Sequence, residues 1–551
     1  MKLPFLPLLV MALACSMSMN HCLAQIISAE LLNSYTPAEV IDISNDFGIP
    51  PDILPISYGV DYYQVVYQTL HPNGDSVLVS GGLALPQAGL CSLPLVCYAH
   101  GTTTTSQDVP SNIGGEGLLG ILYASSGYIV ALPDYIGFGV SDLFHPYVHA
   151  ESEAQTCLDL MRAAVDLQTE LDFQWNNQTF IFGYSQGGHA AMALHRKIEL
   201  EFPDEFTVTA CAPMSGPYDI SGVQTDLIIA DEPFAFSGFL PYVVMGYQAA
   251  YGNLYDSLDE LFIEPYSTTL PDLFDGTNSI GYISAQLPAV PSEMLLPEVF
   301  EAFQTDPQHP LRLVLADNDV YDWAPNAPTR LYYCTEDEQV NYLNALVAEE
   351  AMIENGAADI EALNGGPYTH GECASLAMIG GFFFFENYRE YNFQPELEYA
   401  TIAASGADTE DGSIQITSDT DLSTSTFTWS NGATGNPLTN AAPGTYIAYV
   451  SDENGCTVSL ETELEFAIGI DRPSASTYNL VINDQDNSVS IYWETTASQV
   501  RLFDLQGKLL YSNQIQTGFN MFYLPELKTG LYLAKIGNGE NMRSHKIILS
   551  R

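Results

Sequence analysis

The chain has 551 residues, too many for one ordinary domain, so it must divide into several. It carries 68 acidic and 15 basic residues, a formal net charge of −53. That balance excludes nucleic-acid binding, which needs a basic footprint, and disfavours attraction to an anionic membrane surface. Two readings of the acidity remain: solubility outside the cell, or acidic loops in the later domains that hold structural Ca²⁺ through clustered oxygens.

The first 24 residues read as a signal peptide. Lys2 is the early charge, Leu3 to Ala14 is apolar, and Cys22-Leu23-Ala24 offers small residues for cleavage after Ala24. The alternative is a lipoprotein signal with Cys15 lipidated. No later run is long and apolar enough to span a bilayer. Of nine cysteines, Cys15 and Cys22 lie in the signal. The remaining seven are an odd number, so an oxidising compartment leaves at least one free thiol. No C-x-x-C occurs, so a zinc or redox motif has no support.

Residues 25–396 alternate apolar runs with helical patterns. Leu93–Tyr98, Tyr128–Leu132, Thr179–Phe182, Val208–Ala212 and Arg330–Cys334 read as buried strands of a parallel sheet covered on both faces. Ser152–Leu171 reads as a helix with Cys157, Met161, Ala164 and Val165 on one face. Such alternation means α/β. From about 216 to 328 the chain is rich in Tyr, Phe, Leu and Pro without strand rhythm. This stretch interrupts two core strands and is predicted to be a cap. After about Pro395 the composition turns to Thr, Ser, Gly, Asn and Asp, which predicts small all-β units at 397–468 and 472–551. Tyr446–Val450, Val500–Phe503 and Leu531–Ile536 are clear strands, and Asp471–Ser476 reads as the linker.

The chemistry centres on Gly183-Tyr184-Ser185-Gln186-Gly187-Gly188, between an apolar run and a helical one. Strand, G-x-S-x-G, helix is the nucleophile-elbow arrangement, and glycines make room for its sharp turn. A serine needs a base, and the base an orienting acid; in this arrangement acid and then histidine follow the serine. Asp337 lies just past the strand Arg330–Cys334 and is the predicted acid. Glu336 and Glu338 are rivals, and Asp317 and Asp319 weaker ones. Beyond Asp337 only His370 and His545 remain, and His370, in a glycine-flanked loop before helical Ala374–Met378, is the predicted base. The oxyanion needs two preorganised donors: the N–H of Gln186, and that of Thr102 in the His100-Gly101-Thr102 loop. His100 is read as shaping that loop, and Asp134 in Asp134-Tyr135-x-Gly137-x-Gly139 as a turn anchor. His145 and His149 are the tempting metal pair, but Pro146 argues against the helix their spacing needs. A triad of Ser185, Asp337 and His370 also brings Cys334 and Cys373 near each other, either as a disulfide that pins both loops or as two buried thiols.

In these motifs, taken in order, residues 60–390 resemble the secretory lipase family of α/β-hydrolases, the group that includes fungal lipase A. The resemblance implies lipase or esterase activity with a cap shaping an acyl pocket, and no cofactor. Related bacterial chains are often labelled prolyl-oligopeptidase-like, so the alternative activity is that of a serine peptidase. Asp411-Gly412-Ser413-Ile414, Thr428-Trp429-Ser430-Asn431-Gly432, Pro443-Gly444-Thr445-Tyr446 and Asp452-Glu453-Asn454-Gly455-Cys456 resemble a SprB-type Ig-like repeat. From about 475, Leu502–Lys508, Leu527–Tyr532 and Lys546–Leu549 resemble a type A C-terminal sorting domain of the type IX secretion system. This implies export through the periplasm to the surface of a Gram-negative bacterium. The expected fold is thus an α/β-hydrolase with a cap insertion, followed by two small β-sandwiches. The expected function is an exported serine hydrolase that cleaves carboxylic esters or lipids through an acyl-enzyme. Its partners are that substrate and the type IX machinery. The reading from another class is a surface adhesin with an inactive hydrolase domain.

Overall fold

A computed structural model describes residues 25–46, 54–230, 232–466, 478–483, 488–493, 498–503, 508–515, 518–523, 530–538 and 541–549. The segment read as a signal peptide and the stretch read as a linker, 471–476, lie outside them. The chain forms two compact units. One comprises residues up to 400 with 414–438 and 445–463; the other comprises 401–413, 439–444 and 464 onward.

The first unit is built on a nine-stranded sheet. Its elements are β1 (Ile26–Tyr35), α1 (Pro37–Asp46), β2 (Val60–Leu70), β3 (Ser76–Pro86), β4 (Ser92–Ala99), α2 (Gly117–Ser125), β5 (Ile129–Pro133), α3 (Ala150–Asp166), β6 (Gln174–Tyr184), α4 (Gln186–Glu201) and β7 (Val208–Met214). After an insertion come β8 (Thr329–Tyr333), α11 (Leu343–Glu354), β9 (Ile360–Asn364) and α12 (His370–Glu386). The strand order is β1-β2-β3-β5-β4-β6-β7-β8-β9. From β5 to β9 every neighbour is parallel.

The sheet is mixed, where the apolar runs pointed to a parallel one. β1, β2 and β3 pair antiparallel, and β3 joins β5 antiparallel. These strands escape a search for continuous apolar runs because β2 alternates buried with half-buried residues, as an antiparallel strand with one wetter face does. Wholly buried runs such as β5 mark the parallel centre. Two cores cover its faces. One buries Leu158, Met161, Met192 and Leu194 of α3 and α4. The other buries Leu122, Tyr123, Phe382 and Phe385 of α2 and α12 against Phe180 and Phe182 of β6. Each such side chain contributes about 1.5–3 kcal/mol on burial. Helix α3 ends at Asp166, short of the predicted Leu171, and begins at Ala150 because the His149 side chain caps it by accepting from Ser152 N–H.

The insertion between β7 and β8 is helical: α5 (Thr225–Ile228), α6 (Phe239–Tyr251), α7 (Tyr266–Leu273), α8 (Ile280–Ala285), α9 (Pro297–Thr305) and α10 (Pro310–Asp317). It has its own core around Phe239, Tyr242, Phe262 and Met294.

The strands that follow are β10 (Leu397–Ile402), β11 (Gly412–Ser418), β12 (Thr426–Trp429), β13 (Leu438–Ala441), β14 (Gly444–Ser451) and β15 (Thr457–Leu464), with β12, β14 and β15 in one sheet. Within the first unit the 445–463 segment is stapled to the start of β4 in the nine-stranded sheet. Cys456 is bonded to Cys91, with Cα atoms 4.8 Å apart. Thr457 N–H donates to Tyr58 Oη (2.6 Å), and a side chain at Gly455 would meet Ala88 O at 2.4 Å. The second unit contains β16 (Tyr478–Asn483), β17 (Ser488–Trp493), β18 (Ser498–Phe503), β19 (Leu509–Ile515), β20 (Gly518–Tyr523), β21 (Gly530–Asn538) and β22 (Asn541–Leu549). They form sheets of order β16-β17-β20 and β19-β18-β21-β22.

The staple gives a direct expectation. Proteolysis anywhere in 401–444 should leave the Cys456 peptide attached to the Cys91 segment until a reductant is added. Its release in non-reducing mass spectrometry would contradict the Cys91–Cys456 bond.

Candidate active site

Ser185 sits at the junction of β6 and α4 with φ 61° and ψ −122°, a conformation that L residues strongly avoid. Close approach enforces it. A Cβ at Gly183 would lie 2.2 Å from Gly187 O, and one at Gly187 only 1.9 Å from Ala99 O. Ser185 N–H is tied to Met214 O of β7 (2.9 Å). The turn therefore wedges the start of α4 against the end of β4, where the His100-Gly101-Thr102 loop begins.

Asp337 and His370 meet. His370 Nδ1 is 2.7 Å from Asp337 Oδ2, and both side chains are buried. The other carboxyl oxygen of Asp337 accepts from the N–H groups of Gln339 (3.0 Å) and Val340 (2.9 Å), so the acid cannot swing away. Among the rival carboxylates, Glu338 takes the His370 N–H rather than its ring (3.0 Å). Burial pushes the Glu338 carboxyl up, but this bond and its other partners leave it below the usual range. Asp317 accepts from Tyr251 Oη and Asp319 from Ser221.

His370 is the first residue of α12, not part of a preceding loop. Thr369 and Glu372 form a capping box, which starts the helix one turn earlier than its apolar run suggests. Two contacts lock it to the elbow: its carbonyl accepts from Tyr184 Oη (2.5 Å), and its ring lies 4.8 Å from the Tyr184 ring. Cys334 and Cys373 form a disulfide, with Cα atoms 6.0 Å apart. It joins the end of β8, which leads to Asp337, to the first turn of α12, which carries His370. Among the described residues Ser185 Oγ makes no hydrogen bond.

Thr102 Oγ1 is 2.9 Å from Tyr147 Oη. Its loop is held at both ends: Gly101 N–H donates to Glu116 (2.8 Å), and Thr103 O accepts from Tyr242 Oη of α6 (3.0 Å). His100 shapes the loop, with Nδ1 2.7 Å from Gly101 O and Nε2 3.2 Å from Asp134 O. Asp134 anchors its turn by accepting from Ser80 Oγ (2.6 Å) and Ser111 N–H (2.9 Å). Burial pushes its carboxyl up, against those hydrogen bonds. His145 Nδ1 bonds Ile136 O and His149 Nδ1 bonds Ser152 Oγ, so neither ring is presented as a metal ligand through that nitrogen. No group of three or more His, Cys, Asp or Glu suited to a metal occurs among the described residues, so the Ca²⁺ reading finds no site there.

A mainly apolar cavity opens beside Ser185. Ser185 and Gln186 line one side of it with Tyr147; Phe239, Val243, Leu295 and Val299 of the insertion form an apolar wall, and Gln224, Thr225 and Gln339 add polar groups. Cysteines 97, 157 and 211 are buried free thiols.

Sequence reasoning missed Glu153, which lies buried behind Gln186. The signal was available: Glu153 falls one turn before Cys157, on the apolar face of α3, where a carboxylate needs partners.

The strand order, with antiparallel β1–β3 ahead of a parallel run and an elbow after β6, defines an α/β-hydrolase fold. The secretory lipase family matches residues 111–374, and the secretion system C-terminal sorting domain matches residues 481–550. Residues 397–468 lie outside both matches. No curated protein sequence matches the chain. The rice cell wall degrading esterase LipA from Xanthomonas oryzae is 29% identical and superposes with a TM-score of 0.58, over 64% of this chain and 94% of that one. A protein of Legionella pneumophila is 25% identical with a TM-score of 0.61, over 66% and 98% of the two chains. Lipase A of Candida antarctica in its closed state shares 16% identity and a TM-score of 0.51, over 65% and 81%, and speaks to the fold alone. The chain therefore carries a secretory lipase domain and a type IX sorting domain. It is a lipase/esterase-type hydrolase, secreted or attached at the cell surface. Among the described residues no helix is long and apolar enough to cross a membrane.

The disulfide between the Asp337 turn and the start of α12 should contribute roughly 2–4 kcal/mol of stability. Cys334→Ser with Cys373→Ser should lower the denaturant midpoint accordingly. An unchanged midpoint would mean that the crosslink is mechanically idle.

Proposed function

We propose that the protein is a serine hydrolase that cleaves carboxylic esters with apolar acyl groups through an acyl-enzyme. Ser185 attacks the ester carbonyl. His370 takes its proton and later gives it to the leaving alcohol, and Asp337 orients the ring and stabilises the imidazolium. The backbone N–H groups of Gln186 and Thr102 hold the oxyanion. Water then attacks the acyl-enzyme by the same route in reverse. No step calls for a cofactor.

The observation that carries this reading is the placing of Ser185 at the edge of a cavity walled mainly by apolar side chains. An acyl chain buries well there, each methylene gaining about 0.8 kcal/mol. A peptide backbone would leave its N–H and C=O groups facing Phe239, Val243 and Leu295, so the ester reading is preferred to a peptidase. The 216–328 insertion acts as the cap that selects the acyl group. The β unit at 397–468 is a SprB-like module, and the domain from 472 serves export.

Ser185→Ala should remove ester hydrolysis by a factor on the order of 10⁴ or more while the fold persists. Asp337→Asn should cost about as much. A folded Ser185→Ala enzyme with substantial turnover would defeat the assignment. Val243→Trp should shift preference in a panel from acetyl to long-chain esters toward shorter acyl groups; an unmoved profile would separate the cap from acyl selection. Deleting 472–551 should leave kcat/KM of the purified enzyme unchanged and strand the chain in the periplasm of its host. Normal export of the truncated chain would contradict this.

A further inference from the structure

The residue after the nucleophile is held from behind by a buried polar chain that the mechanism above does not use. Gln186 Nε2 lies 2.7 Å from Glu153 Oε1 and 2.7 Å from His145 Nε2. His145 Nδ1 donates to Ile136 O (2.7 Å), which leaves Nε2 free to accept. Burial lowers the His145 pKa to about 3, so the ring stays neutral. Glu153 Oε2 is 2.9 Å from His189 Nδ1, and His189 Nε2 donates to Asn318 O (2.9 Å). Gln186, Glu153 and His189 are each at most 1% exposed.

A carboxylate this dry is expensive to keep unless every oxygen is satisfied. Here each oxygen has one partner: the Gln186 amide on one side, the His189 ring on the other. Among the described residues Gln186 Oε1 has no partner, so its two donor contacts set the orientation of the side chain. Gln186 is also the first residue of α4, with an N–H that the helix itself leaves unbonded.

We propose that Glu153, paired with His189, is a positioning residue: through the Gln186 side chain it holds the Gln186 N–H at the oxyanion of the tetrahedral intermediate. This rests on the reading of Ser185 as nucleophile and Gln186 N–H as oxyanion donor. A donor that shifts by a few tenths of an ångström still allows substrate to bind but serves the charged intermediate poorly, so the effect falls on kcat and spares KM.

The test is a double-mutant cycle in the full chain with Glu153→Met, which removes the acceptor, Gln186→Met, and both together. It measures kcat and KM on one ester and the affinity of a trifluoromethyl ketone, which forms a tetrahedral adduct on serine. Each single variant should lose about 10- to 100-fold in kcat with KM nearly constant. Inhibitor affinity should fall by the same factor. The double variant should be no worse than the poorer single one, because both cut the same contact. Additive losses, or a lower melting temperature with unchanged kcat, would overturn the proposal. Should Glu153→Met not fold, Gln186→Met carries the test alone, and an unchanged kcat there overturns it. Failure of the wild type to form the adduct at Ser185 would instead defeat the underlying site reading, and this inference with it.

Discussion

A serine backbone at φ 61° and ψ −122° costs about 1–3 kcal/mol and survives only where its surroundings leave no alternative. Here those surroundings are backbone. The Ala99 carbonyl crowds Gly187, Met214 O fixes Ser185 N–H, and Gly187 O fills the space a side chain at Gly183 would need. The turn thus depends on β4, β6 and β7 lying side by side in parallel register. That register in turn depends on the two apolar cores pressed onto the sheet. Fold and site are one constraint: loosen the sheet and the serine relaxes out of reach.

The parts around the elbow are also tied to it rather than to solvent. Tyr184, the residue before the serine, grips the His370 carbonyl. Glu338 takes the His370 N–H while Asp337 takes its ring, so two adjacent carboxylates hold one histidine by backbone and side chain. The insertion reaches in the same way. Tyr242 of α6 bonds the Thr103 carbonyl and stacks on Tyr147, ring centroids 4.2 Å apart, while Tyr147 meets the Thr102 hydroxyl. An insertion that touches the Thr102 loop so directly couples the cavity wall to the backbone beside the serine.

Much of this was legible in the sequence, for stated reasons. The elbow announces itself because its glycines sit where only glycine fits, and the central strands because burial on both faces makes them continuously apolar. Chain order after Ser185 pointed to Asp337 and His370, and their side chains meet at 2.7 Å. The nearness of Cys334 and Cys373 followed from that pairing. What was not legible depends on tertiary partners. Strands β1–β3 alternate too weakly to stand out. The start of α12 was set by the Thr369–Glu372 box rather than by its apolar run. Glu153 looks like one more acid in a chain of 68 until Gln186 and His189 are found against it. The Cys91–Cys456 staple spans 365 residues, and no local pattern foretells it.

The central claim is that Ser185 forms a covalent acyl intermediate within this cavity. Rapid mixing of the enzyme with a 4-nitrophenyl ester, acid quench and peptide mass spectrometry test it most directly. The account predicts a burst of nitrophenol approaching one equivalent per active enzyme and an acyl mass increment on the peptide that contains Ser185. Steady turnover with no burst and no increment, or an increment on another residue, would contradict it.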